Sequence, residues 1–272
     1  MIKIIFSDMD GTLLDEQGNL PEEFPQVVEE MKAYGVLFAP SSGRQYYSLL
    51  DSFPAYKDEF LFVAENGTMV MHKGKEISSS PMPRKLALKV LRTALENTSG
   101  YAVACGKKSA YALERQYTEE FQAEMHKYFT HARTVTSFEG IDDEIIKVSF
   151  FDPGAQADKT IYPQLKKFNG RLQVVLASAY WVDVIGFGIN KGMAIQQVQK
   201  KLKITPKECA AFGDYMNDAE MMSSVYYSYA MANAHPKVKE LARFEAKSNA
   251  EHGVMVQIRE FLRSGMCGEK KQ

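Results

Sequence analysis

The 272-residue chain predicts an α/β fold class, a doubly wound (Rossmann-like) parallel sheet interrupted by an inserted α+β domain. Three observations predict it. Short unbroken apolar runs, IIFS (4–7), VLFA (36–39) and FLFVA (60–64), are separated by helical stretches, the pattern of parallel strands buried on both faces. The same style returns after Lys191, with strands over 209–212 and 226–230. Between these regions lie about a hundred residues of different character, a common domain size, entered through the Ser/Pro-rich break SSSPMPR (78–84).

Taken in order, the strand at 4–7 leads into Asp-Gly turn residues, and 21–34 carries Phe24, Val27, Val28 and Met31 at helical spacing before Gly35 stops it. A helix is expected within 44–53, and 68–77 reads as a hairpin turning at Lys73-Gly74. The inserted segment reads as helices over 85–96, 118–129 and 157–168, with strands near 101–104, 134–136, 145–151, 172–177 and 181–187. The closing part reads as helices over 192–202, 219–224, 236–241 and 254–262 around the two late strands. The expected division is a sheet domain over 1–82 and 188–272, with 83–187 inserted.

A net charge of −1, with 25% charged residues and no basic stripe, excludes nucleic acid as a main partner. Cys105, Cys209 and Cys267 show no CxxC or Cys/His spacing, which argues against a disulfide framework and a zinc site. No basic-then-apolar leader precedes the first strand, and no run approaches the ~20 apolar residues of a membrane span. A soluble cytoplasmic protein without a membrane partner is the expectation. The five histidines, at 72, 126, 131, 235 and 252, are scattered without ligand spacing.

The residues that carry chemistry gather where strands end. Ligands of doubly wound sheets bind beyond the carboxyl ends of the strands, and Asp8 and Asp10 leave the first strand there. Two carboxylates so placed can share a hard cation while one attacks or moves protons, although an Asp-Gly turn with a helix cap is the plainer reading. The second strand ends in SGR, where Ser42, Gly43 and Arg44 offer a hydroxyl and backbone N–H groups to a phosphoryl oxygen, or a cap to the next helix. Lys191 stands at a helix start, where the macrodipole disfavours a cation, which hints at an anionic partner. In AAFGDYMND (210–218), Asp214 leaves its strand as Asp8 does, while Asn217 and Asp218 can also cap the following helix.

The ordered set DMDGT (8–12), SGR (42–44), NKG (190–192) and GDYMND (213–218) resembles the four motifs of the haloacid dehalogenase-like hydrolase superfamily. ENG (65–67), MANA (231–234) and HGV (252–254) are similar to features of its Cof-type sugar phosphatase branch. These motifs span the sheet domain, whereas the insert matches only in size and position, as the large cap domain of that branch. The resemblance implies that Asp8 is the nucleophile and Asp10 the acid/base. It implies Mg²⁺ held by Asp8, the Asp10 carbonyl oxygen and Asp214, with Ser42 and Lys191 on the phosphoryl oxygens, Asn217 near the phosphate, and Asp218 orienting Lys191 or the metal shell. Ser42 stands where the branch usually has threonine, and Tyr215-Met216 replace a more polar pair.

The implied function is a Mg²⁺-dependent phosphatase hydrolysing a small phosphorylated metabolite, a sugar phosphate, through an aspartyl-phosphate. A phosphomutase would use the same two aspartates but return the phosphoryl group to the sugar. A regulator that binds sugar phosphate without turnover is the non-enzymatic alternative.

Overall fold

The computed structural model describes residues 1–270. Along the first part run β1 (Ile4–Ser7), α1 (Phe24–Tyr34), β2 (Leu37–Pro40), α2 (Tyr46–Ser52), β3 (Leu61–Ala64), β4 (Met69–His72) and β5 (Lys75–Ser79). The middle holds α3 (Arg84–Asn97), β6 (Tyr101–Gly106), β7 (Ala110–Leu113), α4 (Glu119–Tyr128), β8 (Ala132–Val135), β9 (Ile145–Phe151), α5 (Ala157–Thr160), α6 (Tyr162–Leu165), β10 (Leu172–Leu176) and β11 (Trp181–Gly186). The last part holds α7 (Lys191–Leu202), β12 (Cys209–Gly213), α8 (Ala219–Ser224), β13 (Tyr227–Met231), α9 (Pro236–Leu241), β14 (Phe244–Ala246) and α10 (Gly253–Arg263).

Two compact units result. One comprises residues 1–43, 53–78 and 190 onward, and the other residues 44–52 and 79–189. Relative to the boundaries expected from sequence, the division shifts by a few residues and assigns the α2 segment to the second unit.

The first unit is built on a five-stranded sheet in the order β14-β13-β12-β1-β2. Every pairing in it is parallel, as the apolar strands predicted. β1 and β12 are buried along their whole length because helices cover the sheet. α1 packs against α10, and α7 against α8, which lies over β12 and β13. The hairpin β3-β4 is antiparallel, and a parallel bridge between Ser41 and Val63 brings β3 beside the end of β2. Phe212 ties the layers together, with its ring 5.2 Å from Tyr229 and 6.3 Å from Phe261 of α10.

The second unit carries a six-stranded sheet in the order β10-β11-β9-β6-β7-β8. Side chains alternate across β9, so Val148 and Phe150 join the core beneath α3 and α6. Phe151 joins the cluster of Phe121 and Met125 from α4 on the opposite face. Trp181 is buried there, its indole N–H donating to Glu124 at 3.1 Å. α2 is fastened within this unit: Gln45 exchanges two hydrogen bonds with the His131 backbone, and the Tyr47 ring stacks on the His131 imidazole at 3.9 Å.

Several elements differ from expectation for identifiable reasons. The helix expected over 157–168 is split into α5, α6 and a following 3₁₀ turn, with Pro163 in the first turn of α6, where a missing N–H does least harm. α1 begins at Phe24 rather than Pro21, with Pro25 in its first turn. β14 was not expected at all: it is a three-residue edge strand with two exposed residues. No helix among the described residues is long and apolar enough to cross a membrane.

Truncating the fully buried Phe212 to alanine removes the contact between β12, β13 and α10, and is expected to cost about 3–5 kcal/mol in urea unfolding.

Candidate active site

Adjacent strands deliver the first carboxylates. β1 and β12 pair so that Ser7 lies opposite Phe212, and the Asp8 N–H continues the ladder to the Phe212 carbonyl at 3.0 Å. Asp8 and Asp214 therefore both leave the sheet at its carboxyl edge. Beyond Asp8 the chain makes a single wide turn over Met9–Leu13, closed by the Leu14 N–H on the Met9 carbonyl at 2.9 Å. Within it Gly11 has φ +79°, and a Cβ there would lie 2.5 Å from Asp214 Oδ2, so both conformation and space require glycine. Thr12, buried in the same turn, donates its hydroxyl to Asp214 Oδ1 at 3.0 Å. Asp10 is exposed on this turn.

Lys191 is the first residue of α7 and is wholly buried. Asn190 caps the helix, accepting the Met193 N–H at 2.8 Å, and thereby fixes where Lys191 starts. The ammonium reaches Asp8 Oδ1 at 2.5 Å and Asp218 Oδ1 at 2.7 Å. Asp218, itself fully buried, accepts through its other oxygen from the N–H groups of Asp214 at 3.0 Å and Tyr215 at 3.3 Å. One side chain thus caps the turn and partners Lys191.

Charges in this cluster are unequal to one another. Burial and the nearby Asp218 charge push the Asp8 carboxyl up to about 8, against the pull of Lys191. Burial raises Asp214 to about 6 despite the Thr12 hydrogen bond that favours its charged form. Burial alone would lower Lys191, but Asp218 and Asp8 outweigh it and hold the ammonium above its ordinary value. One cation faces several carboxyl groups, so the lysine keeps its proton and the surplus negative charge strains Asp8 and Asp214.

Oxygens of Asp8, Asp214 and Asp218 lie within 4.8 Å of one another. All-carboxylate donors suit a hard divalent cation, and such an ion would relieve the strain that burial imposes. Asp218 is already committed to Lys191 and two N–H groups, which leaves Asp8 and Asp214 as the side chains best able to face an ion. The Asp10 side chain stands outside this triad.

The remaining predicted residues divide between the two units. Ser42 is buried, with its N–H on the Val63 carbonyl and its carbonyl accepting from Asn66 N–H, both at 2.9 Å. Gly43 packs against the Asn66 side chain, where a Cβ would meet Nδ2 at 3.0 Å. Asn217 donates to Asn66 Oδ1 at 3.4 Å. Arg44 groups with the second unit. Asn66, in the ENG run, thus joins the SGR turn to the GDYMND turn, a link the sequence itself does not show. Its own left-handed backbone, φ +54°, follows Glu65 at +51°, and the adjacent Gly67 lies so close to the Asn190 carbonyl that a Cβ would overlap it.

A family model described as haloacid dehalogenase-like hydrolase matches residues 5–258, and the chain belongs to that family. Within it, the chain is a phosphoric monoester hydrolase with named phosphatases among its relatives. The 5-amino-6-(5-phospho-D-ribitylamino)uracil phosphatase YbjI of Escherichia coli (strain K12) is 32% identical over 268 residues, covering 96% of this chain and 97% of that protein. The HMP-PP phosphatase of Serratia proteamaculans (strain 568) is 27% identical, covering 89% and 88%. Among solved structures, SMU.1108c from Streptococcus mutans UA159 superposes with a TM-score of 0.83 at 28% identity, covering 97% of this chain and all of that one. TM0651 from Thermotoga maritima, at 21% identity and TM-score 0.85 over 96% of this chain and 97% of that one, shares the fold.

Asp218→Asn preserves shape but sets an amide against three donors and strips Lys191 of a buried partner. Breaking such a pair is expected to cost about 3–5 kcal/mol, read by chemical denaturation. A loss under about 1 kcal/mol, the scale of an exposed pair, would mean that Lys191 is held by something other than Asp218.

Proposed function

We propose that the protein is a Mg²⁺-dependent phosphatase that hydrolyses a small phosphorylated metabolite of the sugar-phosphate class through a phosphoryl group carried on Asp8. The observation that carries this reading is the buried ammonium of Lys191, 2.5 Å from a carboxylate that burial would otherwise discharge. An ion pair so placed opposes the protonation that burial favours at Asp8 and offers the lysine to a phosphoryl oxygen.

In the first step an Asp8 oxygen forms a bond to phosphorus as the bond to the leaving oxygen breaks. Asp10 gives its proton to that oxygen. In the second step Asp10 takes a proton from water, which attacks phosphorus and restores the Asp8 carboxylate. Ser42 and the SGR backbone, with Lys191 and Asn217, bind and orient the phosphoryl oxygens. Asp8, Asp214 and the Asp10 carbonyl oxygen would hold Mg²⁺, which supplies charge neutralisation for the phosphoryl group when bound.

For the substrate, the relative from Escherichia coli gives the first candidate, because its named substrate is a ribityl phosphate and the likeness runs through nearly the whole of both chains. Supplying that compound, a panel of sugar phosphates and pyrimidine phosphates to the purified protein with Mg²⁺ is expected to release inorganic phosphate. Conversion of a sugar phosphate to its isomer without free phosphate would establish a phosphomutase instead. Asp8→Asn is expected to abolish release while retaining the native fold by circular dichroism, and retained activity would remove Asp8 as nucleophile.

Metal binding has a signed pH dependence. Carboxyls raised to about 8 and about 6 by burial stabilise the metal-free fold fully below the ordinary carboxylate range, and that contribution is lost as pH rises through those values. Protons and Mg²⁺ therefore compete for Asp8 and Asp214. The rise in Tm on adding Mg²⁺ is expected to be larger near about pH 8 than near about pH 5. An equal rise at both would place the ion elsewhere.

A further inference from the structure

The turn that carries Asp10 is held from a direction that none of the four motifs accounts for. Asn233, in the loop after β13, donates its side-chain N–H to the Gly11 carbonyl at 2.8 Å. Its side-chain oxygen accepts the Asn249 N–H at 3.2 Å, so both ends of the amide are used and its orientation is set. Asn249, buried, donates its own side chain to the Leu14 carbonyl at 3.0 Å. Two residues past Asn233, the His235 N–H donates to the Asp214 carbonyl at 2.8 Å. The Asn233–His235 segment, with Asn249 behind it, therefore fastens the middle and the far end of the Asp10 turn and the backbone of Asp214.

We infer that Asn233 is a positioning residue for Asp10, acting through the Gly11 carbonyl with Asn249 as its support. The inference rests on the reading of Asp10 as the acid that protonates the leaving oxygen. Asp10 is extended at φ −78°, ψ 121°, and Gly11 turns left-handed directly after it, so neither residue has a helical ladder to hold its peptide. Placement of the exposed Asp10 carboxyl therefore depends on how the neighbouring peptides are held. Thr12 ties one side of the turn to Asp214; Asn233 ties the Gly11–Thr12 peptide, one peptide beyond Asp10. A misplacement of about 1 Å in a reacting group can cost as much as 10²-fold in rate.

The test separates protonation of the leaving group from all else the turn does. Single-turnover release of the leaving group is measured with p-nitrophenyl phosphate, whose leaving phenolate needs little help from an acid. It is measured again with an alkyl phosphate, whose alkoxide needs a proton. Asp10→Asn is the control and is expected to slow the alkyl ester by about 10²-fold or more and the aryl ester far less. Asn233→Ala is expected to show the same signature at smaller size, about tenfold on the alkyl ester with the aryl ester within about threefold, KM nearly unchanged and Tm within a few degrees. Asn233→Asp keeps the acceptor for Asn249 while losing the donor to Gly11, and should behave like Asn233→Ala.

If Asp10→Asn slows both esters equally, the acid role of Asp10 fails. If Asp10→Asn discriminates between them and both Asn233 variants do not, the positioning role of Asn233 is overturned.

Discussion

A lysine ammonium removed wholly from water is the constraint around which the site is arranged. Burying a single ion costs several kcal/mol even after relaxation, so Lys191 is tolerated only where carboxylates meet it with good geometry. Asp8 and Asp218 meet it from separate turns, and those turns come from strands at the centre of the sheet. The arrangement then propagates outward. Asp218 must also accept two backbone N–H groups, which shapes the turn at 214–218. Gly213 must lack a Cβ because the Asp218 side chain occupies that space at 2.6 Å. Gly192, next to the lysine, lies against the Glu220 backbone for the same kind of reason.

The polarity of the cluster sets which ligand it favours. A surplus of carboxyl groups over ammonium holds Asp8 and Asp214 partly against their charged forms. Such a site would be relieved by a cation. The glycines and hydroxyls around it do not compete for charge. They allow close approach and hold directions.

Much of this was legible locally and some of it was not. Unbroken apolar strands announced the parallel sheet because burial on both faces leaves no room for alternation, and strand ends followed by Asp and Gly-Asp announced the edge where the acidic cluster gathers. The family resemblance joined those pieces into one site, and the family match over residues 5–258 accords with it. β14 escaped notice because an edge strand of three residues with two exposed has almost no pattern. Helical spacing over 157–168 hid the break between α5 and α6, although Pro163 marks it. The contacts of Asn233, in the MANA run, and of Asn249 were invisible for a deeper reason. Their partners are backbone carbonyls of Gly11 and Leu14, 222 and 235 positions away, and a carbonyl leaves no mark in the sequence. Asn66, marked only through the ENG resemblance, likewise gave no sign that it lies between Gly43 and Asn217.

The position of β1 between β2 and β12 has a consequence for synthesis. β2 follows β1 closely along the chain, but β12 begins only at Cys209, about 200 residues later, which at about 5–20 residues per second is roughly 10–40 s of translation. Throughout that interval one flank of β1, Ile4 to Ser7, lacks its β12 partner and offers its amide and carbonyl groups to whatever strand is near. The inserted unit is made in the meantime, with a hydrophobic core of its own. A ribosome that stalls before Cys209 therefore leaves behind a chain whose β1 has one unpaired flank, an open edge of the kind that invites pairing with another chain.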